Sequence, residues 1–205
     1  IQNVNPTIDP VRDLEIIETE MMLADLESIQ KRLEKNKKKN LDEDQLKILN
    51  DALNCINNNI DISSLLEKYE KKQINFSGLL SLKPKIYVCN VNENSLDGGN
   101  KYTETCLKKY GKDNIVLVCA KIENQIMELD EKDRANFITE SGIKNTGLNS
   151  LIKTGYKVLK LETFFTSGPE ESRAWTIARN TKAIKAAGVI HSDFEKGFIR
   201  AETVS

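Results

Sequence analysis

The first chemical signal in the chain is Asn90-Val91-Asn92-Glu93, the close of a run that opens with the apolar stretch KIYVCNV at 85–91. Where a buried strand ends in Asn-Lys-x-Asp, the Asp carboxylate accepts hydrogen bonds from guanine's ring N–H and amino group. An Asn at the start of such a loop can tie neighbouring loops together. Here Val91 stands at the Lys position and Glu93 at the Asp position. A carboxylate carried one methylene further out should lose the two-point match to guanine, and buried polar groups left unpaired penalise the wrong base strongly. Adenine presents a ring acceptor and an exocyclic amine instead. Val91 removes an alkyl-ammonium cover from the base and leaves a short apolar one. The plain alternative is a polar turn that ends a strand.

A second β-rich run, NIVLVCAKI at 114–122, closes on Cys119-Ala120-Lys121. Purine-binding α/β domains carry a Ser-Ala-Lys loop there, whose backbone amides touch the base. The match differs only by Cys for Ser. Asn90, Val91, Glu93, Cys119, Ala120 and Lys121 are therefore the candidate nucleotide-binding residues.

Other constellations are weaker. His191 stands beside Asp193 and Glu195, a grouping suited to acid–base work, but no nucleophile or phosphate loop accompanies it. Gly98-Gly99 lacks a following Lys-Ser/Thr and reads as a turn. Trp175 is either core or a stacking platform for RNA. Arg173, Arg179, Lys182 and Lys185 make either a basic face for RNA or ordinary surface charge. The same choice applies to residues 31–39, which hold six Lys or Arg in nine positions. Cys55, Cys89, Cys106 and Cys119 form no CxxC pair, and with one histidine a zinc site is not expected.

The whole chain has 205 residues, enough for one large domain or two small ones. Its 30 basic and 31 acidic side chains leave a net charge of −1, so bulk charge gives no argument for nucleic acid. No window approaches the roughly 20 apolar residues that cross a bilayer, and nothing at the start resembles a signal peptide. Free thiols in apolar runs fit a reducing, cytoplasmic setting.

These residues must be positioned by an α/β scaffold. Residues 1–12 hold Pro6 and Pro10 and read as an extended connector, so the first residue looks like a cut. Asp13 is a candidate cap for a helix over 14–37, with one apolar stripe through Leu14, Ile17, Met21 and Ala24 and another through Met22, Leu26, Ile29 and Leu33. NKKKN at 36–40 is a polar break. Leu46, Leu49, Leu53, Ile56 and Ile60 predict a second helix at 42–58, antiparallel to the first, with a short third at 62–71.

The two apolar runs read as parallel strands buried on both faces. Helices are expected at 99–111, 128–140 and 147–156. Beyond 158, two strands flank a Gly168-Pro169 turn, a helix covers 181–188, and GFIRAETVS at 197–205 reads as a last strand of an unfinished sheet.

Four stretches taken together resemble the YchF/Obg-like ATPase family of translation-factor-related P-loop proteins. They are DPVRDLEIIETEMMLADLESIQKRLEK, KPKIYVCNVNE, LNSLIKTGYKVLKLETFFTSGPEESRAWTI and AAGVIHSDFEKGFIRAETVS, which span nearly the whole chain. The family's NxxE motif departs from Asn-Lys-x-Asp as this sequence does. The resemblance implies the C-terminal half of a P-loop NTPase domain with an inserted α-helical hairpin, followed by a partial β-grasp (TGS) module. It assigns 1–12 to a connector, 13–80 to the coiled-coil-like insertion, 81–157 to the nucleotide-binding part and 158–205 to a truncated TGS domain. It implies ATP hydrolysis, with GTP bound more weakly, and association with the ribosome in translation or stress responses. Ribosomal RNA could be met through the basic surface; neither membrane nor DNA is expected.

No GxxxxGK[ST] occurs, and no DxxG follows a strand. The phosphate cradle and the Mg²⁺-binding hydroxyl would lie before the residues seen here, so no catalytic residue and no metal ligand is expected in this chain, and the fragment alone should be inactive. The competing expectation is a non-catalytic module in which the hairpin and TGS portion bind a partner without nucleotide.

Overall fold

The computed structural model describes residues 7–36, 42–143 and 145–204. Two compact units form, one from Ile1–Pro84 with Lys101–Lys109, the other from Lys85–Asn100 with Tyr110–Ser205. Residues 37–40 of the NKKKN break and residues 1–6 of the proline connector lie outside the described residues.

In the first unit, helix α1 spans Pro10–Asn36. It begins earlier than the apolar spacing predicts, because Asp9 and not Asp13 caps it. The Asp9 carboxylate accepts from the Arg12 amide at 3.1 Å, and Pro10 occupies the first helical position, where a missing N–H and a fixed φ suit the turn. Helix α2 (Glu43–Asn57) packs against α1. A 3-10 turn at Ile62–Ser64 runs into α3 (Leu65–Lys68), and α4 (Lys71–Ser77) follows under a Glu70/Gln73 capping box. The predicted third helix is thus two short pieces, and α4 is additional. Gly78 ends α4 at φ +72, a left-handed conformation that favours glycine.

The core joins Ile29 to Leu49, Ala52, Cys55, Ile62 and Leu65, with Ile74, Leu79 and Leu82 closing it. Only the later stripe of α1 is used. Ile17 is 54% exposed, and Ile16 and Leu23 are similarly open. Two polar ties lock the unit: buried Asp25 accepts from the amides of Leu80 and Ser81, both at 2.8 Å, and Arg32 donates to the Ser77 carbonyl at 2.5 Å. Arg32, within the basic stretch, is therefore partly structural, and Lys31 pairs with Glu27. Helix α5 (Lys101–Tyr110) carries buried Thr103 and Cys106, and Lys109 pairs with Glu15.

In the second unit, β1 (Tyr87–Asn90) and β2 (Ile115–Val118) pair in parallel, Asn90 opposite Val118. Burial on both faces is not met along β1, whereas no residue of β2 is exposed. Along β1, Tyr87 and Cys89 are half-buried while Val88 is 51% exposed, an alternation of one covered and one open face. The run at 114–122 is also not one strand: β2 stops at Val118 and helix α6 spans Ala120–Glu128. Helix α7 (Glu131–Glu140) then starts under the Asp130 carboxylate, which accepts from the Asp133 amide at 2.9 Å.

Helix α8 (Gly147–Leu159) packs on β2. Strands β3 (Leu161–Ser167) and β4 (Ser172–Ala178) form an antiparallel hairpin, its turn closed by the Gly168 amide on the Glu171 carbonyl at 2.9 Å. Trp175 donates to Thr166 at 2.9 Å and lies under Arg173. Helices α9 (Ala183–Ile190) and α10 (Ser192–Lys196) follow. The strand expected at 197–205 does not form over the described residues. A strand needs a neighbour for its N–H and C=O groups, and residues 198–204 join neither sheet, with Ile199 90% exposed. Among the described residues, no helix is long and apolar enough to cross a membrane.

Candidate functional site

The parallel register sets the ends of β1 and β2 level, and two loops leave from there. The Val91 amide extends the ladder by one bond, donating to the Val118 carbonyl at 2.8 Å. Asn90 Oδ1 then accepts from the Ala120 amide at 3.1 Å. This satisfies one of the N–H groups at the start of α6 that have no intrahelical partner and ties the two loops to each other.

Glu93 opens a 3-10 turn (Glu93–Ser95) held by the Leu96 amide on the Glu93 carbonyl at 3.2 Å. Its carboxylate meets the second loop, where Lys121 Nζ donates to Glu93 Oε1 at 2.8 Å. This hydrogen bond, with the charge of Glu93, holds the Lys121 ammonium above the ordinary lysine range. Both side chains are largely open to solvent. The loops thus present a fixed carboxylate–ammonium pair beside a backbone-anchored asparagine.

The other candidates behave differently. Val91 is 9% exposed and Cys119 is buried, so neither side chain stands open above the loops. Cys119 serves as the N-cap residue of α6, and its carbonyl accepts from the Glu123 amide at 3.0 Å. The Ala120 amide, expected to touch a base, is engaged by Asn90. A cleft of about 570 Å³ starts at Glu93 and runs past Asp97, Gln125, Ser141 and Asn145. Of the six candidates only Glu93 lines it.

One residue that spacing did not single out supports the site from behind. The Glu123 carboxylate accepts from the Gly147 amide at 2.5 Å and the Leu148 amide at 3.4 Å, so α6 and the start of α8 are joined. Thr146 caps the same end, accepting from the Asn149 amide at 3.2 Å. Gly147 is required by close approach: a Cβ there would lie 2.9 Å from both Val118 Cγ atoms. The tie runs from carboxylate to backbone, and only a sequence signal for helix starts at both Cys119 and Thr146 could have pointed to it.

The remaining motifs resolve as local structure. His191 caps α10, its Nδ1 accepting from the Asp193 amide at 3.2 Å. Lys185 pairs with Glu195 and Arg173 with Glu171, so two of the four residues in the proposed basic face meet acids. No group of three or more metal-ligating side chains occurs among the described residues, and the cysteines are free.

Comparison with known proteins places these loops in context. Residues 161–205 match the family model YchF-GTPase_C, described as "Protein of unknown function (DUF933)". The chain is 42% identical over its full length to the ribosome-binding ATPase YchF of Haemophilus ducreyi (strain 35000HP), covering 58% of that protein. It is 40% identical to the protein of the same name from Escherichia coli O157:H7, again over all of this chain and 58% of the relative. With that of Bacillus subtilis (strain 168) the identity is 38%, over 59% of the relative. The solved Schizosaccharomyces pombe YchF GTPase superposes with a TM-score of 0.67 at 30% identity, over 97% of this chain and 57% of that one. The chain thus spans a little under three-fifths of the length of the relatives it matches.

Proposed function

The chain belongs to the YchF family, and from that premise we propose that it is the base-recognition part of a ribosome-associated ATP hydrolase that prefers ATP to GTP. The observation that carries this reading is the junction of two strand ends, where Asn90 holds the Ala120 amide and Glu93 meets Lys121. Asn90, Glu93 and Lys121 would hold the base, with the backbone at Val91, Cys119 and Ala120 shaping the loops. The names of the relatives, ribosome-binding ATPases, support the setting.

Residues 13–80 would be the helical, coiled-coil-like insertion, 81–157 the nucleotide-binding part and 158–205 part of a TGS domain, with 1–12 a connector. The hairpin of β3 and β4 followed by α9 is consistent with a β-grasp beginning. The protein would act in the cytoplasm in translation or stress responses. Mg²⁺ would neutralise charge on the phosphates, and its ligands and the phosphate cradle would come from sequence outside this chain, which contains no GxxxxGK[ST].

Two measurements test the proposal. The chain alone should hydrolyse neither ATP nor GTP above background, since positioning and charge stabilisation of the γ-phosphate supply nearly all such catalysis. In the full-length protein, Asn90→Ala should weaken binding of both nucleotides by releasing the Ala120 loop. Turnover by the isolated chain, or unchanged affinities in the folded Asn90 variant, would overturn it. The latter result would favour a module that binds its partner without nucleotide.

A further inference from the structure

We propose that Glu123 is a positioning residue for the nucleotide loops, acting from behind them by fixing the first turn of α6, which carries Ala120 and Lys121, to the start of α8. This inference rests on the assignment of the two strand ends as a nucleotide site, and it adds a residue that lies outside both loops.

The first turn of an α-helix leaves amides without intrahelical partners, and the residue just before the helix ordinarily takes one of them. Thr146 does so for α8, accepting from the Asn149 amide at 3.2 Å. The two amides before that one are served from elsewhere. Gly147 and Leu148 donate to the Glu123 carboxylate, 24 and 25 residues earlier in the chain. The positive end of the helix dipole favours a carboxylate at this place. An acceptor from α8's own approach would satisfy the same amides. One borrowed from α6 also joins two helices.

Each end of that join is anchored. The Glu123 amide donates to the Cys119 carbonyl at 3.0 Å and closes the turn that holds Ala120 and Lys121, so its side chain reaches α8 from that same turn. Gly147 sits against Val118, where a Cβ would lie 2.9 Å from both Cγ atoms, and α8 packs on β2. The start of α8 is therefore a fixed point on the strand that pairs with β1. Asn90 holds the Ala120 amide at 3.1 Å from the β1 side, and Glu123 holds the turn from the α8 side. Glu123 is absent from the lining of the cleft that starts at Glu93. Its influence on a nucleotide must pass through the placement of the turn, and it should not depend on which purine is bound.

The test uses the full-length protein, with displacement of a fluorescent ATP analogue by ATP and by GTP, and thermal denaturation of each variant. Glu123→Ala should weaken both nucleotides by one common factor of about three- to tenfold, the range for residues coupled through a shared backbone segment, and leave the ATP:GTP ratio as it was. Glu123→Gln keeps one acceptor oxygen but cannot accept from both amides with equal charge, and should fall between the parent and the alanine variant. Thr146→Ala is the control. It removes a cap from the same end of α8 without touching α6, so it should lower the melting temperature and leave both affinities unchanged. Unchanged affinities in a folded Glu123→Ala protein overturn the proposal, and so does a Thr146→Ala protein weakened as much as Glu123→Ala. Where the alanine variant does not fold, Glu123→Gln is read in its place, and parental affinities there overturn it. Asn90→Ala separates the two levels of inference. If it weakens binding and Glu123→Ala does not, only the positioning role falls. If neither weakens binding, the nucleotide-site assignment falls as well.

Discussion

Asp25 and Leu80, 55 residues apart in sequence, are joined by a 2.8 Å hydrogen bond from the Leu80 amide to a carboxylate that is 2% exposed. The second oxygen takes the Ser81 amide. A buried carboxylate with two backbone donors holds the segment after α4 onto α1. Asp25→Ala should remove about 2–3 kcal/mol, because both amides lose a charged acceptor. Asp25→Asn, which keeps one carbonyl oxygen, should lose roughly half as much. Chemical denaturation of the three proteins checks the order. An alanine variant as stable as the parent would mean that water replaces the carboxylate there.

Tyr69 should ionise well above the ordinary tyrosine range. Burial, and then the hydrogen bond to Asp51 at 2.6 Å, push its phenol up to about 12. The folded value is raised above the unfolded value of about 10, so this contribution to stability is fully present below about pH 10 and lost as pH rises through about 12. Asp51 has the opposite sign: its hydrogen bonds from Lys68 and Tyr69 lower its pKa, so its contribution is present above the unfolded carboxyl value and lost as pH falls through the folded one. Ultraviolet phenolate absorbance reads Tyr69 directly. Tyr69→Phe should delete the titration step near pH 12, and Asp51→Asn should move it to lower pH.

Gly147→Ala should destabilise the second unit by about 1–3 kcal/mol, since the added Cβ meets Val118 at 2.9 Å and Glu123 at 3.0 Å in a packed place. Thermal denaturation measures the loss. Val118→Ala introduced together with it should recover part of that loss by vacating the clash. Simple additivity of the two substitutions would place the problem elsewhere.

Glu93→Asp should move selectivity toward GTP in the full-length protein, on the order of 1 kcal/mol, by withdrawing the carboxylate from Lys121 and restoring a shorter acceptor. Val91→Lys is a poor companion substitution. Val91 is buried, and a lysine there would place a charge where the valine now packs. Competition between labelled ATP and unlabelled GTP measures the first effect, and an unchanged ratio would assign base choice to another loop.

The strand pair, the hairpin turn at Gly168-Pro169 and the second helix were legible because apolar spacing and turn residues agree there. The end of β2 was not. Residues 115–120 are apolar throughout, and a short apolar run does not distinguish strand from helix. Cys119 turns the chain from one to the other. The expected last strand failed for a different reason: Phe198 and Ile199 have strand composition, but composition supplies no ladder partner. Asn90 as a tie between loops was readable from its type. Its partner Ala120, the Glu93–Lys121 pair and the Glu123 cap of α8 depend on register, and no local pattern carries that. The open face of α1 at Ile16, Ile17 and Leu23 shows the same limit, since periodicity identifies a stripe without identifying what covers it.

The level ends of β1 and β2 have a kinetic consequence. Asn90 and Ala120 lie 30 residues apart, so the loops have no fixed separation until the four-residue ladder has closed in its register. A slip by one residue would turn each β1 side chain to the opposite face and carry Asn90 away from the amide it holds. Any molecule bound across the two loops therefore acts as a gauge of strand alignment. It favours only chains already paired correctly, and its presence should slow solvent exchange at the Val91 amide in step with occupancy.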